Sequence, residues 1–159
     1  MQPEEHPNGQ SLLNRLCANI RPIDVLLDAG AWVTDMSNEE LASKWLELRV
    51  DMDAVVFFGP DNDILVMTRT GWKMSWATSP YEASLKGCLL YLDDVHTRGS
   101  DFRLGPGTRA AVTLGRRMQK DKLVQTCMRM RLLGNGHTAT RLKEDVEWRD
   151  NLGIHQTVK

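Results

Sequence analysis

The chain has 159 residues, of which 42% are hydrophobic and 26% charged, with a formal net charge of −1. This balance excludes the low-complexity and highly charged disordered classes and suits one globular domain or part of one. No apolar run approaches the roughly 20 residues of a membrane-spanning helix. The polar, acidic N-terminus has no secretory-signal pattern, so a cytoplasmic or nuclear location is expected. Three cysteines without a CxxC pair point to a reducing compartment and against structural zinc. No metal and no cofactor are expected.

The near-neutral total hides an asymmetry. Residues 1–97 hold 7 Lys/Arg and 15 Asp/Glu, whereas residues 98–159 hold 13 and 6. A basic C-terminal part could face phosphate, nucleic acid or an acidic partner, or simply neutralise the acidic part across one fold.

In chain order, residues 1–10 are polar with two prolines and read as disordered. Ser11 to Ile20 reads as a short helix with Leu12, Leu13, Leu16 and Ile20 inward. Together, residues 1–22 form an N-terminal arm. Ile23 to Ala29, bounded by Pro22 and Gly30, reads as a buried strand. Ser37 and Glu40 make an S-x-x-E capping box that opens a helix through about Arg49, with Leu41, Trp45 and Leu48 inward. Ala54 to Phe58 is a buried strand, and the Gly59-Pro60-Asp61-Asn62 turn returns the chain as an antiparallel strand, Ile64 to Thr68. Trp72, Met74 and Trp76 alternate as in a half-buried strand. Pro80 to Lys86 fits a short helix with proline near its start. Leu89 to Leu92 and Ala110 to Leu114 are strands, and Asp121 to Leu133 is a helix closed by Gly134-Asn135-Gly136. Residues 137–159 are a polar tail with a short helix around Leu142 to Trp148. The alternation predicts an α/β domain over residues 23–136: a mostly parallel sheet with flanking helices and one hairpin.

Two segments carry the chemistry. Asp93, Asp94 and His96 follow the end of a buried strand, where open α/β sheets place their sites. The D-D-V-H string resembles the D-E-A-H box of helicase-type NTPases, although the chain has no G-x-x-x-x-G-K-[ST] loop to cradle a triphosphate. Arg98-Gly99-Ser100-Asp101 resembles the R-G-x-D of the C-terminal lobe of superfamily-two helicases. Gln125 and Arg129 keep the Q-x-x-x-R spacing of that lobe's last motif, with Arg131 two positions on. The resemblance implies a RecA-like C-terminal lobe whose Arg98, Asp101, Gln125, Arg129 and Arg131 face a nucleotide or other anion. Surface ion pairs would need the same residues. A thiol nucleophile needs a neighbouring histidine. Cys127 and His96 are the candidates, and core packing is the competing role for Cys127.

Y-L-D-D-V-H-T-R-G-S-D-F, R-A-A-V-T-L-G and K-D-K-L-V-Q-T-C-M-R-M-R, with L-L-D-A-G-A-W-V-T-D-M-S-N-E-E-L-A upstream, resemble the C-terminal region of very large, mainly fungal proteins classed as ubiquitinyl hydrolases. The similarity covers about Ile23 to Gly136. It implies a fragment of a cysteine-type deubiquitinase, inactive in isolation, whose partners are ubiquitin or a ubiquitinated protein and other domains of a larger chain. The chain departs from the family strings at Asp94, Val95 and Asp35. Three readings therefore stand: a thiol hydrolase fragment, an NTPase lobe that works against a partner lobe, and a binding module with a basic surface.

Overall fold

The structure, a computed structural model, describes residues 8–18, 21–97, 102, 104, 108–115 and 138–142. Helix α1 spans Gly9–Cys17 and α2 spans Asn38–Leu48. The strands are β1 (Val25–Leu27), β2 (Ala54–Phe58), β3 (Ile64–Thr68), β4 (Lys73–Ser75), β5 (Cys88–Leu92), β6 (Arg109–Thr113) and β7 (Thr138–Leu142), with a 3-10 turn at Trp76–Thr78. They form one sheet in the order β4-β3-β2-β5-β1-β6-β7. From β2 to β7 the neighbours are parallel, while β2, β3 and β4 pair antiparallel at one edge. The protein is thus α/β as expected, but with a mixed sheet whose antiparallel edge is a two-turn meander rather than one hairpin.

The central strands are apolar throughout because both faces are covered. Every residue of β1, β2 and β5 is buried, the pattern of parallel strands between two layers. On one face α1 and α2 cover Leu26, Val55, Phe57, Leu89 and Tyr91, with Leu12, Leu13, Leu41 and Trp45 fully buried. On the opposite face, with Val25, Leu27, Val56, Leu90 and Val112, the described cover is turns and the 3-10 segment, through Trp76, Tyr81, Leu85, Phe102 and Leu104. Both described helices therefore lie on the same side.

Each helix starts where the sequence supplies a cap. In α2 the Ser37 hydroxyl accepts from Glu40 N and Glu40 reaches back to Ser37 N, the predicted reciprocal box. In α1, Asn8 and Ser11 do the same at 2.8 and 3.0 Å. That pair begins the helix inside the stretch expected to be disordered. Asp35 secures the start of α1, accepting from Gly9 N at 2.8 Å. The short-helix segment packs into the core, with Leu12, Leu13 and Leu16 buried as expected.

Three further expectations change. Pro80 to Lys86 is not helical. Tyr81 and Leu85 have helical spacing, but they pack against the sheet from successive turns, with Glu82 N bonded to Ser79 O and Cys88 N to Leu85 O. Tertiary packing overrides the local pattern here. The Trp72–Trp76 alternation yields only the three residues of β4, since Trp76 opens the 3-10 turn and Trp72 is 68% exposed. The sheet also continues past the boundary expected at 136, because β7 pairs with β6 from Thr138 to Leu142. The helices expected at 121–133 and within 143–148 lie outside the described residues. No described helix is long and apolar enough to cross a membrane.

Candidate functional site

The parallel strands end together, and three of their carboxyl ends carry polar side chains held by neighbouring elements. At the end of β1, Asp28 is 2% exposed. Its carboxylate accepts from Trp32 N (2.9 Å), Val33 N (3.0 Å) and the Thr113 hydroxyl (2.6 Å) at the end of β6. Gly30 N donates to the same hydroxyl and Trp32 Nε1 donates to Leu114 O. Burial pushes the Asp28 carboxyl above its ordinary value, the three hydrogen bonds pull it back, and the Asp94 charge adds to the rise. The loop after β1 lies hard against the end of β6. A Cβ on Gly30 would meet the Gly115 nitrogen and the Leu114 carbonyl carbon at 2.7 Å.

At the end of β5, Asp93 organises a tight turn. Its carboxylate accepts from the His96 amide, pairs with the His96 imidazole through Nδ1, and accepts from Asn38 Nδ2 at 3.1 Å. Thr97 N returns to Asp93 O, and the buried Thr97 hydroxyl donates to Asp94 O. Asn38 reaches Asp93 because it is the first residue of α2, directly after the capping serine, and the same amide donates to Phe58 O at the end of β2. The His96 ring stacks on Phe58 with centroids 3.8 Å apart. Its Nε2 lies 3.0 Å from Asn62 Oδ1 in the β2–β3 turn. Asn62 has φ +60, a left-handed conformation that asparagine tolerates. With Nδ1–H given to Asp93, a neutral ring would accept at Nε2, whereas the imidazolium would donate to Asn62 Oδ1.

Of the residues singled out in the sequence, Asp93 and His96 are joined, and Asp94 sits exposed in the same turn. Arg98, Asp101, Gln125, Cys127, Arg129 and Arg131 lie outside the described residues. Asp28, Asn38, Phe58, Asn62 and Thr113 are the parts that sequence reasoning missed. The signal for Asp28 was present: an acidic residue closing the apolar run I-D-V-L-L-D, just before Gly30.

Neither described cysteine supplies a thiolate at this edge. Cys88 opens β5 at the amino end, five residue steps or about 16 Å along the strand from Asp93. It is buried, its thiol is pushed up to about 12 by desolvation and the Asp53 charge, and Sγ donates to Leu89 O. Cys17 is exposed at the end of α1. Among the described residues, no three His, Cys, Asp or Glu side chains are grouped to hold a metal ion.

These features define an α/β domain with a polar, tightly braced carboxyl edge. Compared with family models, curated proteins and solved structures, the chain matches none.

Proposed function

We propose that the chain is the C-terminal-type lobe of a helicase-like NTPase, acting at the carboxyl edge of its sheet on a triphosphate held by another lobe. One observation supports this reading: the chain runs toward Arg98–Asp101 and toward Gln125–Arg131 from the carboxyl ends of β5 and β6, which flank β1 on the same edge of the sheet. Residue 98 follows the Asp93–Thr97 turn, and residue 116 follows the end of β6, which Asp28 and Trp32 hold. Asp93 and His96 spend their hydrogen bonds on Asn38, Asn62 and the turn backbone. They are positioning residues that fix where the Arg98 segment begins. The arginines supply the charge that a developing phosphoryl transition state needs, as an arginine finger does.

The family resemblance to ubiquitinyl hydrolases calls instead for a thiolate beside His96. Cys88 is excluded by its place at the opposite end of β5, so that reading rests on Cys127, the thiol the sequence singles out. Two substrates offered to the native polypeptide that carries this chain separate the readings. The NTPase reading expects ATP turnover and no release of a fluorophore from the ubiquitin C-terminus. Fluorophore release abolished by Cys127→Ala, without ATP turnover, would replace it with the thiol hydrolase.

A further inference from the structure

The sheet's second face holds an unfilled space at the amino ends of the strands, opposite the braced edge. It is a cavity of about 410 Å³ between β1, β5 and the chain that covers them. Its floor is Val25 and Leu90, 2% and 0% exposed, and Leu85 and Leu104 form the facing wall. The packing explains the gap. Helices interdigitate with a sheet face, whereas the described cover here is a run of turns that meets the face through side chains such as Trp76, Tyr81, Leu85, Phe102 and Leu104. A space of this size, walled by Val25, Met52, Leu85, Leu90 and Leu104 with Ser84 and Thr108 as neutral polar groups, falls in the range of small-molecule sites.

We infer that this cavity binds a small, uncharged, largely apolar molecule of roughly the size of an indole. The lining selects against charge. The two ionic residues at the solvent-facing mouth, Asp24 and Lys86, have opposite signs, so a singly charged head would meet one attractive and one repulsive group. Asp24 is already committed to Arg49 at 2.8 Å. The Cys88 side chain in the wall is a neutral thiol whose Sγ–H is given to Leu89 O, so among the described lining residues the charges stay at the mouth. The site is independent of the carboxyl edge and of the NTPase reading.

Titration of the full chain with indole, followed by methyl and amide NMR, tests this site. Saturable shifts are expected at Val25, Leu85, Leu90 and Leu104, with the Asp93–Thr97 turn unmoved. Leu85→Trp, which fills the cavity from its half-buried wall, should weaken indole binding by about tenfold or more. Ser84→Trp at the exposed mouth does the same without touching the core, and it decides the matter if Leu85→Trp fails to fold. Absence of saturable shifts at those methyls, or unchanged affinity in the folded tryptophan variant, would overturn the inference.

Discussion

Asn38, the first residue of α2, donates to the carboxylate of Asp93 at 3.1 Å across 55 positions of sequence, and with the same amide to Phe58 O at 3.0 Å. One side chain thereby ties the start of a helix to the ends of two adjacent parallel strands. Asn38→Ala leaves the Phe58 carbonyl and one Asp93 oxygen without this donor. It should cost about 1–2 kcal/mol and loosen the turn after β5. Hydrogen exchange at the Thr97 amide, which closes that turn on Asp93 O, reports the loosening directly, and unchanged protection would contradict the bracing role.

Asp28 makes stability depend on pH with a definite sign. Burial holds its carboxyl above the ordinary value, so ionisation is harder in the folded chain than in the unfolded one. The contribution of this group is fully present below the ordinary carboxyl value and is lost as pH rises through the raised folded one. Asp28→Asn removes the titration but gives up an acceptor for Val33 N or Trp32 N. The variant should be most disadvantaged in acid and should close the gap as pH rises, measured by urea unfolding from pH 3 to 8. A gap that widens with pH would reverse the assigned cause.

Cys88 should be chemically silent in the folded chain. Its thiol is pushed up to about 12 from an ordinary value of 9.0, which lowers the thiolate fraction by about a thousandfold. Iodoacetamide at pH 8 should therefore modify exposed Cys17 before Cys88, and Cys88 only at the rate of unfolding. Peptide mass mapping of a time course distinguishes the two sites.

Gly30 is required by a close approach of backbone. Alanine there would press on the Gly115 nitrogen and Leu114 carbonyl carbon at 2.7 Å, forcing the β1 loop away from the end of β6 at about 1–3 kcal/mol. Gly71→Ala meets no atom within 4 Å, but its φ of +84 costs an L-residue about 1–2 kcal/mol. Thermal unfolding of the two variants, with the Trp32 Nε1–H NMR signal as a local probe of its bond to Leu114 O, should show a changed Trp32 environment only for Gly30→Ala.

The strands were legible because burial on both faces writes itself as unbroken apolar runs, as in Ala54–Phe58 and Cys88–Leu92. The start of α2 was legible because Ser37 and Glu40 form a local signal. The start of α1 was missed because an asparagine and a serine made the same reciprocal cap in a stretch whose prolines suggested disorder. Pro80–Lys86 misled for the opposite reason: its apolar spacing serves turns that pack on a sheet. Within the candidate site, Asp93 and His96 could be found because they sit three residues apart after a strand. Asp28 meets Thr113 only once β1 and β6 pair, and Asn38 and Asn62 meet Asp93 and His96 only once β2 and β5 pair, and no local spacing encodes that order.

The most direct test of the central claim is ATP hydrolysis by the native polypeptide that carries this chain, with and without Arg129→Ala. An arginine that meets the transferring phosphoryl group should, when removed, lower turnover by about a thousandfold or more while leaving ATP binding intact. Equal turnover in the two forms, or none in the unaltered polypeptide, would contradict the account of the carboxyl edge as a phosphate-facing surface.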